Sequence, residues 1–170
     1  MASIPINRTA LIRFGLALGL LLLAGCASTP NKPAAPAAGH PAVVSYALSL
    51  KGTPYRWGKA SPTEGFDCSG FVQHVYGKHG VHLPRTTREI AQALPSVDKS
   101  ERRPGDLLFF NTSGKPFSHV GIYVGQDTFV HAPSSHTGRV IVSSLDRHYW
   151  WRRLISVRRP GVGDRFLSGR

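Results

Sequence analysis

The chain has 170 residues, 41% hydrophobic and 18% charged, a globular composition that excludes wholesale disorder and suits one domain rather than two. Lys and Arg outnumber Asp and Glu by 21 to 9, a net charge of +12. Arg8 and Arg13 fall in a segment expected to be removed, which leaves the mature chain at +10. Two cysteines exclude a disulfide-stapled scaffold and a multi-cysteine zinc module, and no apolar run reaches the ~20 residues that span a bilayer.

Residues 1–25 read as a signal peptide. Arg8 and Arg13 form the positive n-region, and Phe14 to Leu23 is a short apolar h-region holding Gly15 and Gly19. Leu23-Ala24-Gly25-Cys26 then places small residues before a cysteine. That tetrapeptide resembles the bacterial lipobox, which implies cleavage before Cys26 and its diacylation; two or three acyl chains anchor stably where one does not. The alternative is an ordinary secretory signal with a chance cysteine. Residues 26–41 form a lipidated start and a flexible Ala/Pro tether without a large apolar side chain. Ala27, where Asp would retain a Gram-negative lipoprotein at the inner membrane, implies the outer membrane, facing the periplasm. Nucleic acid is not an expected partner, because the Arg pairs at 102/103, 152/153 and 158/159 sit in no recognition motif. The positive balance reads as surface charge for solubility, or as attraction to anionic lipid or acidic wall polymer.

The folded domain is expected over 42–160. Val43, Tyr46, Ala47 and Leu50 recur at helical spacing after Pro41, and Gly52 ends the run. A loop, Gly52 to Gly58, leads to a second helix starting near Cys68 with Asp67 as cap and Phe71, Val72, Val75 and Tyr76 on its apolar face. Thr86 and Glu89 have capping-box spacing ahead of Ile90, Ala93 and Leu94. After Pro95 the period changes to two. Asp106 to Phe110, His119 to Val124, Thr128 to His131, Arg139 to Ser143 and Trp150 to Val157 read as strands. In the last, Arg152, Leu154 and Ser156 alternate with Arg153, Ile155 and Val157, which predicts one solvated face. Helices followed by strands argue an α+β fold with an antiparallel sheet. Residues 161–170 read as a disordered tail, and the domain as a monomer without a cofactor.

Once Cys26 is acylated, Cys68 has no partner. It is either a buried structural thiol or a reactive one, and its place at a helix start favours a thiolate and an oxyanion site. A nearby imidazolium would lower its pKa further. Of eight histidines, His119 and His131 are coupled by the hairpin. A turn centred on residue 126 pairs position 121 with 131 and sets His119 diagonally beside His131 on one sheet face. Small Gly121 between them would leave room for the helix that carries Cys68. Cys68 is then the nucleophile, His119 its base, and His131 the group that fixes the His119 tautomer.

At this point the blocks Gly52-Thr53-Pro54-Tyr55-Arg56-Trp57-Gly58, Gly65-Phe66-Asp67-Cys68-Ser69-Gly70-Phe71-Val72, Leu83-Pro84-Arg85-Thr86, Pro104-Gly105-Asp106-Leu107 and Ser118-His119-Val120-Gly121-Ile122-Tyr123-Val124 resemble the NlpC family of papain-like bacterial cell-wall cysteine peptidases. The resemblance implies a minimal papain-like fold, with N-terminal helices packed on a small antiparallel sheet. It implies hydrolysis of peptidoglycan stem peptides at γ-D-Glu–diaminopimelate, or of the D-Ala–diaminopimelate crosslink. Cys68, His119 and His131 match the family's catalytic positions. Tyr55 matches a tyrosine beside the nucleophile and is either an oxyanion donor or a packed loop aromatic. Asp67 and Ser69 match positions that in some members contact the stem peptide, and otherwise serve as helix caps. Arg85 matches a recurrent arginine with a structural or substrate-carboxylate role. Gly58-Lys59 departs from the family's frequent Gly-Gly at the cleft rim. Three other readings remain: a thiol-dependent acyl or amide transferase, a zinc site built from Cys68, His119 and His131, and a non-catalytic cell-wall-binding lipoprotein.

Overall fold

The computed structural model describes residues 41–161. The signal segment, Cys26, the tether as far as residue 40 and the tail from residue 162 lie outside the described residues.

Helix α1 (Ala42–Ser49) starts after Pro41, whose fixed φ suits a helix entry, and buries Val43, Val44 and Ala47. The chain leaves it through Gly52 at φ +89°. Two short antiparallel strands follow, β1 (Ala60–Ser61) and β2 (Gly65–Phe66). They deliver the chain to α2 (Cys68–Gly77), whose N-cap is Asp67 and which buries Phe71, Val72, Val75 and Tyr76. Gly70 is needed here for a close approach: a Cβ on it would lie 2.2 Å from the Lys59 carbonyl oxygen. Helix α3 (Thr87–Ala93) begins with the anticipated capping box between Thr86 and Glu89.

The sheet has six antiparallel strands in the order β3-β8-β4-β5-β6-β7. They are β3 (Ser96–Val97), β4 (Leu107–Phe110), β5 (His119–Gly125), β6 (Thr128–His131), β7 (Ile141–Ser144) and β8 (Leu154–Arg158). Both faces are covered. Leu107, Phe109, Val120, Ile122, Val124 and Val130 pack with α1, α2 and α3. Leu108, Phe110, Tyr123, Phe129, Leu154 and Val157 form a second layer with Leu145 and Trp150. The α+β architecture, helices first and an antiparallel sheet after, is the one the period change predicts.

Two local readings are corrected. Trp150 does not begin a strand: His148–Trp151 forms a short helix, α4, and β8 starts at Leu154. Nor does β8 alternate simply. A bulge between Phe109 and Phe110 of β4 pairs Phe109 with Ser156 and Phe110 with Leu154, skipping Ile155, which is exposed. Leu154 and Val157 therefore bury on the same side, which strict period-two spacing forbids.

Gly70→Ala should push α2 off β1, because the obstructing atom is backbone. The expected cost is about 1–3 kcal/mol, measured as a lowered urea midpoint at unchanged slope.

Candidate active site

Asp67 organises the start of α2. Its Oδ1 accepts from Gly70 N–H at 2.7 Å and Arg85 Nη1 at 3.0 Å, and its Oδ2 from Gly58 N–H at 2.9 Å and Arg85 Nη2 at 2.6 Å. Arg85 Nη1 also donates to Ser69 Oγ at 2.9 Å. Asp67 and Ser69 are buried. A buried carboxylate is tolerable when each oxygen is bonded, and the bidentate guanidinium adds charge pairing. The guanidinium fork of Arg85 is thus engaged within the protein.

Cys68 occupies the first position of α2, half-buried and free. Its Sγ lies 3.8 Å from Thr87 Oγ1 at the start of α3. Burial pushes the thiol pKa up. The Thr87 hydroxyl pulls it down, the Asp67 carboxylate raises it, and backbone groups of Val120 and Ser69 lower it, leaving a net upward shift. The helix end therefore does not yield a thiolate in the resting protein, contrary to expectation, because desolvation and the capping carboxylate outweigh the hydrogen bonds. Tyr55, half-buried, stands in the same field: burial, then Cys68, then Asp67, raise its phenol. Val120 brings β5 against the sulfur, and it follows His119 directly.

His119 opens β5 and His131 closes β6. Between them the pairs Ile122–Val130 and Tyr123–Phe129 hold the register anticipated from a turn at residue 126. Gln126 and Asp127 both take positive φ, 49° and 50°, which matches the twist that a tight hairpin demands. His119 Nε2 and His131 Nδ1 are 2.7 Å apart, and His131 Nε2 is 2.9 Å from Ser143 Oγ. Trp150 stands edge-on to His131 at 4.9 Å and tilted to His119 at 5.6 Å. The space above Gly121 is filled by Phe129, whose Cδ2 lies 2.7 Å from where a Cβ would be, not by α2 as the sequence suggests. The pair is buried, with His119 3% and His131 0% exposed. Burial lowers the His119 pKa to about 4; burial and then the His119 charge hold His131 well below the ordinary range. Both rings are neutral at pH 7.

The structure thus gathers Tyr55, Asp67, Cys68, Ser69 and Arg85 around the start of α2, and joins His119 to His131 on the neighbouring hairpin. Cys26 lies outside the described residues. Thr87, Ser143 and Trp150 were not anticipated. Thr87 reads from sequence as a residue of the capping turn, Ser143 depends on a strand register that only the folded sheet reveals, and Trp150 on a short helix that reads from sequence as a strand. Among the described residues no three His, Cys, Asp or Glu side chains are placed to hold a metal ion. Two ring nitrogens bonded to each other at 2.7 Å cannot both point at one cation.

Residues 52–159 match the model of the NlpC/P60 family. Murein DD-endopeptidase MepH of Escherichia coli K12 is 43% identical over 114 residues, covering 64% of this chain and 41% of MepH. The chain thus spans less than half the length of that relative. The probable endopeptidase NlpC of the same organism is 40% identical over 146 residues, covering 82% of this chain and 93% of its own. A Staphylococcus aureus Mu50 protein, described as similar to lipoprotein, NLP/P60 family, superposes with a TM-score of 0.62 at 37% identity, covering 69% of this chain and 40% of that one. Sequence and fold agree: this chain belongs to the NlpC/P60 family.

Proposed function

We propose that this protein is a lipid-anchored cysteine peptidase that hydrolyses amide bonds in peptidoglycan stem peptides or crosslinks, γ-D-Glu–diaminopimelate or D-Ala–diaminopimelate, with Cys68, His119 and His131 as its catalytic residues. One observation carries the reading: a thiol at a helix start, and a bonded histidine pair whose first member opens the strand that abuts it. The family relatives named as murein endopeptidases support the substrate class.

The chemistry follows from neutral partners. His119 Nε2 is taken by His131, so Nδ1 is the nitrogen left for the thiol. As Sγ attacks the substrate carbonyl carbon, its proton passes to His119 Nδ1. The tetrahedral oxyanion is held by N–H groups of the first turn of α2 and by the Tyr55 hydroxyl. Collapse breaks the C–N bond, and imidazolium returns its proton to the leaving amine. Water, deprotonated by His119, then cleaves the thioester and restores the thiol. Asp67, Ser69 and Arg85 fix the helix start beside the substrate.

Lipid on Cys26 would hold the domain at the outer membrane, facing the periplasm, with residues 27–41 as tether. Intact mass of detergent-extracted protein should show acylation on Cys26, and Cys26→Ser should move the protein to the soluble fraction; an unmodified cysteine in membrane-free protein removes the anchor from the reading.

Purified protein incubated with sacculi should release muropeptides cut at an amide bond, identified by mass spectrometry. Cys68→Ala and His119→Ala should lose at least about 1,000-fold in rate while keeping a folded circular-dichroism spectrum. Substantial release by purified Cys68→Ala sinks the proposal.

The pH dependence separates activity from stability. His119 serves as base only when unprotonated, so the acid limb of kcat/KM should fall near pH 4 rather than 6.5. The unfolded chain gains a proton on this histidine near pH 6.5, whereas the native state resists until about 4. The associated stability is thus fully present above 6.5 and is lost as pH falls through that window, about 3 kcal/mol from His119 alone. Chemical denaturation at pH 7 and at pH 4 measures the difference, and His119→Gln should reduce it by about the His119 share.

A further inference from the structure

Both nitrogens of the buried His131 ring are engaged. Nδ1 meets His119 Nε2 at 2.7 Å and Nε2 meets Ser143 Oγ at 2.9 Å. Ser143 belongs to β7, paired opposite Phe129 of β6, so its hydroxyl reaches His131 as a diagonal neighbour on the same sheet face. Phe129, with its ring centre 4.5 Å away, and Trp150 at 4.9 Å flank the imidazole.

We propose that Ser143 is a positioning residue for the reaction: by accepting from His131 Nε2–H it holds His131 in the tautomer whose Nδ1 accepts from His119, leaving His119 Nδ1 as the lone pair that takes the thiol proton. This rests on the Cys68–His119 reading above. A neutral imidazole has one donor and one acceptor nitrogen, so the three-membered chain has two polarities. In one, His119 donates to His131 and His131 donates to Ser143. In the other, Ser143 donates to His131, His131 donates to His119, and His119 carries its hydrogen on Nδ1, where it cannot act as a base. A serine hydroxyl can serve either polarity; a protonated Cys68 thiol offering its hydrogen to His119 Nδ1 selects the first, in which Ser143 accepts. Once His119 holds the thiol proton, both of its nitrogens carry hydrogen. His131 Nδ1 must then accept, its Nε2–H must donate, and the Ser143 oxygen must receive. The hydroxyl is therefore committed as an acceptor in the charged intermediate, where a hydrogen bond raises turnover rather than binding.

Two-bond hydrogen–nitrogen correlations of the imidazole rings in 15N-labelled protein read the tautomers without turnover. His119 and His131 should both carry their hydrogen on Nε2 in the wild type. A His131 protonated on Nδ1 overturns the proposal. On sacculi, Ser143→Ala should lower kcat on the order of ten-fold with KM unchanged, and Ser143→Thr, which restores the hydroxyl, should recover most of it. Wild-type kcat in Ser143→Ala, or a change confined to KM, also overturns it. If Ser143→Ala does not fold, Ser143→Cys removes the strong acceptor at nearly equal volume and is judged by the same two readouts. A wild-type protein that releases nothing from sacculi defeats the hydrolase reading, while the tautomer spectrum still decides the relay.

Discussion

The buried carboxylate of Asp67 is the constraint on which the rest of the site depends. It satisfies the N–H of Gly70 in the first turn of α2, ties down Gly58 in the preceding loop, and receives the Arg85 fork from the segment before α3. The loop, the helix that carries Cys68 and Arg85 thus meet at two oxygen atoms. None could move without leaving a buried charge short of a donor. Cys68 is the next residue, so its position is set by a network that need not touch substrate. The same charge carries an electrostatic cost. A carboxylate one residue from the thiol opposes the helix dipole and, with burial, holds the sulfur protonated.

The histidine pair is placed by the opposite means, an apolar enclosure. The sheet is covered on both faces, by helices on one side and by the segment carrying Leu145 and Trp150 on the other. A polar pair in that second layer must satisfy itself, and it does so through His119, His131 and Ser143 in series. Gly121 is part of this arrangement. Its missing Cβ admits the Phe129 ring and lets His131 approach across the hairpin. A larger residue there would separate the strand that meets the thiol from the strand that carries His131.

Much of this was legible before folding. Asp67 before Cys68, the Thr86–Glu89 box and the hairpin that pairs His119 with His131 are local patterns, and local hydrogen bonding decides them. The failures share a cause, which is dependence on partners far along the chain. The bulge that buries both Leu154 and Val157 arises only where β8 pairs with β4, and α4 replaces the start of a strand where Trp150 folds over Phe110, Phe129 and the histidines. Gly121 signalled a close approach correctly but not by what. The helix end and a nearby imidazolium predict a lowered thiol pKa; desolvation, which only the folded chain reveals, and the adjacent cap charge reverse the direction. Arg85 stood out as a residue, yet whether its fork turns inward or toward ligand is settled by Asp67, not by its own motif.

The neutral resting pair has a consequence for where stabilisation acts. Were the thiol and imidazole already an ion pair, the surrounding dipoles would stabilise the ground state as much as the reaction. In the proposed reaction charge would separate only as sulfur attacks carbon, and the groups assigned to answer it are backbone N–H groups of α2 for the oxyanion and the His131–Ser143 chain for the imidazolium. The two histidines are buried, so fixed dipoles around them count for more than they would in solvent. Burial keeps His119 unprotonated well below pH 6.5, and in the proposed reaction it would reserve electrostatic stabilisation for the step in which charge appears.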